Sequence, residues 1–348
     1  MSSDAGIVRK GEELDLGILS NHLISKINGF PELTDIKQFK GGFSNLTYLI
    51  SGGGEEWILR RPPFGSRGGS AHNMEREFKV LKTLEPLYNY SPRAIFYESN
   101  EAIIGAPFFI MERIEGVVVR AGTVFPISSD FNSTLFYKSL GKKTVDALAF
   151  LHSIELDVDI TTGNPMDFTK RQVEGWSRRF LSAMTDDAPN PEPVIAWLTN
   201  NLPDQRYKAF IHNDFKFDNL VLSNFSSSVE IKGVLDWEMA VSGDPLADLG
   251  TTLAYWIQPD DNPILKMFGA TAIEGNLNRD DVIQRYALKT GRDVSSINFY
   301  YVLGLFKVAG IVQQIYFRYK TGKTNDPRFA PLGKVVDACF EKIKLMMQ

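Results

Sequence analysis

The stretch His212-Asn213-Asp214-Phe215-Lys216-Phe217-Asp218-Asn219 is a polar loop between two short apolar runs, residues 209–211 and 220–222. A third run, residues 229–235, leads into Leu235-Asp236-Trp237-Glu238. Short apolar runs bounded by Asn, Asp and Gly predict β-strands. The order strand, loop, strand, turn, strand and acid therefore brings the polar loop and Asp236 to one end of a small β-structure.

The residue types at these two places match the needs of phosphoryl transfer from ATP. Such a reaction needs an acid at the acceptor hydroxyl, oxygens that bind Mg²⁺ and a cation on the moving phosphate. We expect Asp214 to take the hydroxyl proton and hold the acceptor in line, and Lys216 to contact the γ-phosphate. Asn219 and Asp236 are the expected Mg²⁺ ligands, since Mg²⁺ takes only one or two protein oxygens. His212 is interpreted as a residue that braces the loop.

Ordinary turn chemistry is the alternative explanation of the loop. Asn and Asp favour turns whatever the function of the protein, and short motifs produce false matches. The second acid at Asp236 and the elements upstream of the loop favour a catalytic loop over a simple turn.

Together these residues resemble the catalytic loop and the metal-binding acid of the protein-kinase-like superfamily. Asp236-Trp237-Glu238 stands where a protein kinase carries Asp-Phe-Gly, and the flanking segments 211–214 and 234–238 are closer to the aminoglycoside phosphotransferase branch. The segment 243–250, Gly-Asp-Pro-Leu-Ala-Asp-Leu-Gly, narrows the resemblance further. The chain is most similar to the kinase-like domains found alone or fused to acyl-CoA dehydrogenases. The resemblance implies an α+β, two-lobed protein-kinase-like fold. Residues 1–113 would form a small antiparallel-sheet lobe that binds the nucleotide, and residues 114–348 a larger, mostly helical lobe for catalysis and the acceptor.

A glycine-containing hairpin is expected in the first lobe. Residues 38–50 predict a glycine-interrupted strand, followed by a tight turn at 51–54 and a second strand at 56–60. Glycines let backbone N–H groups approach a triphosphate closely, although a simple β-bulge is the alternative. We expect Gly42, Ser44 and Asn45 to lie nearest the phosphates.

The resemblance also assigns a cation to the nucleotide. Arg60 stands where protein kinases carry a lysine that pairs with the α- and β-phosphates, and the two side chains differ in geometry. Arg61 competes for this role, but strand alternation favours Arg60. A helix capped by Ser70 would supply Glu77 as the ion-pair partner of Arg60, with Glu75 as the competitor.

The connection between the lobes is expected after an apolar strand within residues 103–111. Backbone groups around Met111 and Arg113 are expected to bind the adenine edge. Further on, Asp248 lies near the start of a predicted helix and is interpreted as a structural acid that braces the catalytic loop.

Residues 160–206 form an insertion that several prolines break into short helices. In aminoglycoside phosphotransferase-like folds this region helps to wall the acceptor pocket. Trp176, Arg178 and Arg179 are the expected pocket residues, because Arg forks suit carboxylates and phosphates. Acids barely outnumber bases in the insertion, which favours an anionic or neutral acceptor, such as a hydroxy acid or hydroxyacyl thioester, over a polycationic aminoglycoside. A solvated charged helix face explains the same residues equally well.

Composition excludes several other classes of function. With 43% apolar and 23% charged residues the chain is typical of a soluble globular protein. A net charge of −4 gives no electrostatic reason to expect nucleic acid or an anionic membrane as partner. The single cysteine, Cys339, excludes an internal disulfide and is expected in the core. The N-terminus lacks the layout of a signal peptide, and a cytoplasmic location is expected.

The leading interpretation is an ATP- and Mg²⁺-dependent kinase of a small-molecule hydroxyl. A nucleotide-binding pseudokinase is the first alternative, because Arg60 departs from the usual lysine, and an aminoglycoside kinase is another. A protein kinase is disfavoured, since no Ala-Pro-Glu-type segment follows Asp236. A hydrolase is disfavoured because no Ser or Cys lies in a nucleophile elbow. The oligomeric state is not predicted.

Overall fold

The computed structural model describes residues 5–39, 45–64, 73–120, 133–156, 163–223, 229–267 and 269–348. The chain divides into two compact units. Unit 1 comprises Met1–Glu115 and Gly233–Met239, and unit 2 comprises Gly116–Lys232 and Ala240–Gln348. The boundary lies close to the one expected after residue 113, but the segment that carries Asp236 groups with the first unit instead of the second.

Unit 1 contains one antiparallel sheet. Its strands are β1 (Ala5–Gly6), β2 (Leu33–Phe39), β3 (Leu46–Gly52), β4 (Glu55–Arg61), β5 (Ala94–Glu98) and β6 (Phe108–Glu112), in the spatial order β1-β2-β3-β4-β6-β5. The expected hairpin is β3–β4, where Gly53 and Gly54 turn the chain with φ of 60° and 85°. The prediction of one strand over residues 38–50 is wrong. Strand β2 ends at Phe39 and β3 begins at Leu46, and the two strands pair antiparallel with each other.

Two helices accompany this sheet. Helix α1 (Leu16–Lys26) buries Leu19 and Leu23 in the apolar core that alternate residues of β3 and β4 also line. Helix α2 (Met74–Leu84) begins after Asn73, whose side chain accepts a hydrogen bond from the Arg76 N–H. The expected cap at Ser70 is therefore wrong, and Ser70 itself lies outside the described residues. The Asn73 side chain supplies an acceptor that the first turn of a helix needs.

Unit 2 is mostly helical. Its helices are α3 (Ser133–Leu151), α4 (Phe168–Ser182), α5 (Glu192–Asn200), α6 (Pro245–Tyr255), α7 (Arg279–Thr290), α8 (Ile297–Lys320) and α9 (Leu332–Met346). The short strands β7 (Val117–Val118) and β9 (Leu220–Leu222) pair with each other, as do β8 (Ala209–Ile211) and β11 (Val241–Gly243). Strand β10 (Ile231–Val234) leads the chain to Asp236. The expected α+β protein-kinase-like class, with a sheet in the first unit and helices mainly in the second, is confirmed.

Helix α8 forms the centre of unit 2. It packs against α4, α6 and α9, and its side chains are buried on nearly all sides. Phe306 of α8 stacks on Phe180 of α4 with 5.6 Å between ring centroids, and it also meets Phe340 of α9. Burial of one such phenyl ring stabilises the fold by about 1.5–3 kcal/mol. Cys339 is buried in α9, as expected.

Within the described parts of the chain, no helix combines the length and the apolar character needed to span a lipid bilayer.

Candidate active site

The polar loop after β8 surrounds the Asp214 carboxylate with donors. Lys216 Nζ lies 2.8 Å from Asp214 Oδ2, and Asn219 Nδ2 lies 3.3 Å from the same oxygen. Asn219 Nδ2 also donates to the Asp214 carbonyl oxygen at 2.9 Å, which closes the loop on itself. The Tyr255 hydroxyl donates to Asp214 as well, and burial raises the pKa of Tyr255. The structure thus brings Asp214, Lys216 and Asn219 together, as expected of a loop that does chemistry.

The Asn219 side chain donates hydrogen bonds from its amide nitrogen, while its amide oxygen accepts none from the described residues. Among the residues that the structure covers, no donor reaches Asn219 Oδ1. An amide oxygen held in this way fits a Mg²⁺ ion, which prefers hard oxygen ligands. The described residues contain no group of three or more His, Cys, Asp or Glu side chains arranged to hold a metal. A site that depends on phosphate oxygens and water for its remaining ligands needs no such group.

Asp248 of α6 holds the start of the loop. Its Oδ2 accepts the backbone N–H of His212 at 2.8 Å, and its Oδ1 accepts that of Asn213 at 2.9 Å. The His212 ring accepts the Asp214 N–H through Nδ1. Burial acts to raise the pKa of Asp248, but hydrogen bonds from His152 and the backbone hold that pKa below its ordinary value. Asp248 and His212 therefore both bond to the loop backbone, as a residue that braces the loop would.

His152 completes this buried network from α3. Its Nε2 lies 3.1 Å from Asp248 Oδ2, and its Nδ1 lies 2.7 Å from the Tyr286 hydroxyl. Burial lowers the pKa of His152, although Asp248 opposes that change. A neutral ring that donates from Nε2 to Asp248 and accepts the Tyr286 proton at Nδ1 satisfies all three groups.

In unit 1, Arg60 lies among three carboxylates. Its Nη1 donates to Glu77 Oε1 at 2.7 Å, and Nη1 and Nη2 reach Asp236 Oδ1 at 3.2 and 3.1 Å. Nη2 also pairs with Glu238 Oε2 at 3.4 Å. Burial raises the pKa of Glu77 to about 7, Arg60 opposes that rise and Asp236 adds to it. One guanidinium thus faces three acids.

Strand alternation separates the two candidate arginines. Arg61 donates from Nε to the Pro62 carbonyl and from Nη1 to the Ile104 carbonyl at 2.6 Å, so its side chain is used elsewhere in unit 1. Glu75 pairs with Lys79 on the exposed side of α2. The ion pair that joins β4 to α2 is therefore formed by Arg60 and Glu77.

Asn45 is held by Glu238 at the start of β3. Asn45 Nδ2 donates to Glu238 Oε2 at 2.7 Å, and Asn45 is almost completely buried. Arg76 of α2 donates to the Glu238 carbonyl at 2.7 Å. Gly42 and Ser44, the other residues expected at the phosphates, lie outside the described residues.

Only two non-glycine residues in the described ranges have a positive φ: Asn213 at 65° and Asp236 at 68°. This conformation is unfavourable for most side chains and is best tolerated by Asn and Asp. Such strain concentrates at functional sites, where surrounding contacts hold it. One of the two residues precedes Asp214, and the other is the expected metal-binding acid.

The residues expected at adenine lie at the end of β6. Met111 is opposite Ile58 of β4 in the sheet, and Arg113 follows the strand with its side chain paired to Glu56. Their role in adenine binding stays a prediction.

The α4 residues expected at the acceptor divide into two groups. Trp176 is buried, and its indole Nε1 donates to Gln172 at 3.1 Å. The Arg179 guanidinium lies over the Trp176 ring at 4.6 Å, and Lys307 of α8 lies 6.0 Å from the same ring. Arg178 is exposed. The structure therefore groups Trp176 with Arg179 and Lys307, a residue to which the sequence had assigned no role.

Sequence patterns missed Lys307, Glu238 and His152. Lys307 is the single charged residue in the apolar run 299–316, and a buried lysine implies a partner. The sequence therefore indicates that Lys307 has a partner, but it does not indicate which residue that partner is. Glu238 stands two residues after Asp236 and gave no signal of its own. A histidine at the end of a helix is most simply a capping or core residue, and only the structure reveals the bonds of His152 to Asp248 and Tyr286.

Comparison with known proteins identifies the family of the chain. The model of the phosphotransferase enzyme family matches residues 35–282. Human acyl-CoA dehydrogenase family member 11 is 31% identical over 334 residues, covering 93% of this chain and 42% of the relative. The chain spans less than half the length of the curated relatives it matches.

Two solved structures share the fold. A Ralstonia eutropha protein assigned to the aminoglycoside phosphotransferases has a TM-score of 0.76 at 23% identity, covering 96% of this chain and 99% of its own. The complex of APH(2")-IIIa with GDP and kanamycin has a TM-score of 0.58 at 13% identity, covering 95% and 97%. Since the family model matches well over half of its residues, this chain belongs to the phosphotransferase enzyme family.

Proposed function

We propose that this chain is an ATP- and Mg²⁺-dependent phosphotransferase that moves the γ-phosphate to a hydroxyl of a small molecule. The observation that carries the proposal is the Asp214 carboxylate, which accepts hydrogen bonds from Lys216 at 2.8 Å and Asn219 at 3.3 Å within a phosphotransferase-family chain. Two donors on Oδ2 fix the orientation of the carboxylate, which is what positioning an acceptor hydroxyl requires.

Asp214 accepts the proton of the acceptor hydroxyl as the oxygen attacks the γ-phosphorus. Lys216 presents its ammonium to the equatorial oxygens of the transferred phosphoryl group, where negative charge is spread in the transition state. Its hydrogen bond to Asp214 keeps the ammonium beside the acid. Asn219 holds the loop closed through its amide nitrogen and offers its oxygen to Mg²⁺.

In unit 1, Asp236 is the proposed principal Mg²⁺ ligand, and Arg60 is the proposed phosphate cation. Bound Mg²⁺ neutralises charge on the phosphates. The excess of carboxylates around Arg60 supports a cation at this place. Arg60 Nε is buried and has no hydrogen-bond partner among the residues described, so it is the donor that Glu77, Asp236 and Glu238 do not use. GDP in a structural relative fits a nucleotide role for this fold.

For the acceptor we propose a hydroxy acid or a hydroxyacyl thioester. The charges that act most strongly on Lys307 beside the loop include the acids Asp214 and Asp248 and the cations Lys216 and Arg179, and Asp218 acts on Lys216. Together with Lys307 these cations balance the acids, so this group offers no acid excess to a polycationic acceptor and suits a carboxylate or a neutral group. The relatives are named acyl-CoA dehydrogenase family members, which fits an acyl thioester. Kanamycin in one structural relative makes an aminoglycoside the second candidate.

A coupled ADP-release screen tests this proposal. Short hydroxy acids, hydroxyacyl thioesters, aminoglycosides, sugars and choline-like alcohols are assayed with MgATP, using Asp214→Asn as the inactive control. We expect hydroxy acids or hydroxyacyl thioesters to cause ADP release, and we expect this release to disappear in Asp214→Asn. Turnover of aminoglycosides alone would reject the acceptor class. Binding of MgATP without turnover on any alcohol would support a nucleotide-binding pseudokinase instead.

A further inference from the structure

We propose that Lys307 is a positioning residue of the catalytic loop, which holds Asn213 in its left-handed conformation and thereby orients Asp214. This inference rests on the proposed function in one respect only, the role of Asp214. The contacts between Lys307 and the loop are independent of the reaction.

Lys307 makes two hydrogen bonds to one residue across a gap of 94 positions in the sequence. Its Nζ donates to the Asn213 carbonyl oxygen and, at 2.7 Å, to Asn213 Oδ1. From the other side, Asp248 Oδ1 accepts the Asn213 N–H at 2.9 Å. Both backbone polar groups of Asn213 and its side-chain oxygen are therefore held by α6 and α8.

These contacts act on Asp214 through the peptide bond. The Asn213 carbonyl and the Asp214 N–H belong to the same planar unit, so fixing one fixes the other. Asn213 has a φ of 65°, which costs free energy for any residue other than glycine. A residue in this conformation needs contacts that hold it there. Lys307 supplies those contacts on the carbonyl side, immediately before Asp214.

The burial of Lys307 shows that these contacts are necessary. The residue is 3% exposed on a helix that is otherwise apolar at this level. A buried ammonium is costly unless hydrogen bonds replace its water. Asn213 provides two acceptors, and the Trp176 ring lies 6.0 Å away. The charged groups that act most strongly on Lys307 include Asp214, Asp248, Lys216 and Arg179.

The first test compares two substitutions at position 213. Asn213→Gly keeps the carbonyl acceptor and removes the cost of a positive φ, whereas Asn213→Ala keeps that cost. We expect kcat to fall about 10- to 100-fold in the alanine variant, the loss typical of a misplaced catalytic group, and to fall much less in the glycine variant. Equal kcat values for the two variants would overturn the proposal.

The second test removes the lysine. Lys307→Met should lower kcat while leaving the KM for MgATP unchanged, and Asn213→Gly in the same chain should restore most of the lost kcat. Lys320→Met, an exposed lysine of the same helix paired with Asp187, is the matched control and should change neither constant. A wild-type kcat in Lys307→Met, or the absence of rescue in a double variant that folds by circular dichroism, would contradict the proposal.

A measurement without turnover separates this inference from the proposed function. Hydrogen exchange of the peptide covering residues 212–219 should be faster in Lys307→Met than in the wild type, and unchanged in Lys320→Met. If no alcohol is phosphorylated but exchange follows this pattern, the proposed function fails and the positioning contact stands. If exchange is unchanged in Lys307→Met, the positioning role fails whatever the activity.

Discussion

Arg60 Nη1 lies 2.7 Å from Glu77 Oε1, and this buried ion pair ties the end of β4 to helix α2. The two side chains are only 8% and 2% exposed, so the ion pair is shielded from water. Asp236 and Glu238 bond to the same guanidinium. A single arginine thus compensates three carboxylates that come from a helix and from the segment after β10. The stability of unit 1 should depend on this arginine more than on any surface charge.

Arg60→Met should destabilise the protein by about 3–5 kcal/mol, because it leaves the buried Glu77 carboxylate without its ion-pair partner. Glu77 already has a raised pKa, so its folded form binds a proton more tightly than its unfolded form between about pH 4.5 and 7. Stability contributed by such a group falls as pH rises through that window. Without Arg60 the pKa of Glu77 rises further, and the loss should be larger at pH 8 than at pH 5.

Urea denaturation at the two pH values measures this difference. Arg93→Met is the matched control, since Arg93 is 61% exposed and pairs with Glu112 at 3.8 Å. It should change the free energy of unfolding by no more than about 1 kcal/mol. A loss in Arg60→Met no greater than in Arg93→Met would contradict the central place of this cluster.

Asp214 and Asp236 should fail in different ways. Asp214→Asn is expected to keep MgATP affinity and to lose turnover by about 10²- to 10⁴-fold, the usual contribution of a general base. Asp236→Ala is expected to lose the Mg²⁺ dependence of nucleotide binding. Calorimetric titration of ATP with Mg²⁺ and with EDTA, beside the coupled ADP assay, separates the two effects. Wild-type rates in both variants would show that the roles are wrongly assigned.

Glycines let α6 and α8 approach each other closely. A Cβ on Gly250 would lie 2.2 Å from the Tyr300 carbonyl oxygen, and one on Gly304 would lie 2.3 Å from the Gly250 carbonyl oxygen. Either alanine forces the helix backbones apart, so Gly250→Ala and Gly304→Ala should each cost about 1–3 kcal/mol or more. Gly17 of α1 is the control, because its added methyl meets only the Asp15 side chain at 3.4 Å.

Gly17→Ala should be neutral or stabilising by about 0.5–1 kcal/mol, since alanine favours a helix. Thermal unfolding of the three variants provides the comparison. Similar melting temperatures for all of them would mean that the close approach of α6 and α8 is not needed for stability.

The buried His152 should make stability depend on pH below neutrality. Its pKa is lowered, so below pH 6.5 the unfolded chain binds a proton that the folded chain does not. The contribution of His152 to stability should therefore fall as pH drops from about 6.5, by at most about 1.4 kcal/mol per pH unit, whereas the opposing contribution of Glu77 grows as pH drops from about 7 to 4.5. The Asp248 contribution is present above about pH 3.8 and is lost only at lower pH, because its pKa is lowered from that value.

The free energy of unfolding, measured between pH 5 and 7.5, reports the contribution of His152, because the Asp248 contribution changes only at lower pH. His152→Gln should remove this part of the pH slope, whatever its effect on absolute stability. An unchanged slope in the variant would assign the dependence to other groups.

Much of the fold and of the candidate site could be predicted from sequence because the relevant patterns are local. The polar loop between apolar runs located Asp214, Lys216 and Asn219 within eight residues, and the structure brings all three together. Alternation along β4 distinguished Arg60 from Arg61, since successive side chains point to opposite faces of a strand. The predicted cap of α2 was wrong because the local pattern offers two candidates. Asn73 and Ser70 are both good caps, and composition does not choose between them.

The sequence by itself determined the fold class, the family and the residues of the loop, because strand and helix periods and a short motif depend only on neighbouring positions. Tertiary structure alone decided which partners hold those residues. Asp248 meets His152 across 96 positions, Lys307 meets Asn213 across 94, and Glu238 meets Arg60 across 178. A buried charge must find a partner, but its sequence neighbours do not say which one, since only the packing of distant helices and strands brings the two groups within bonding distance.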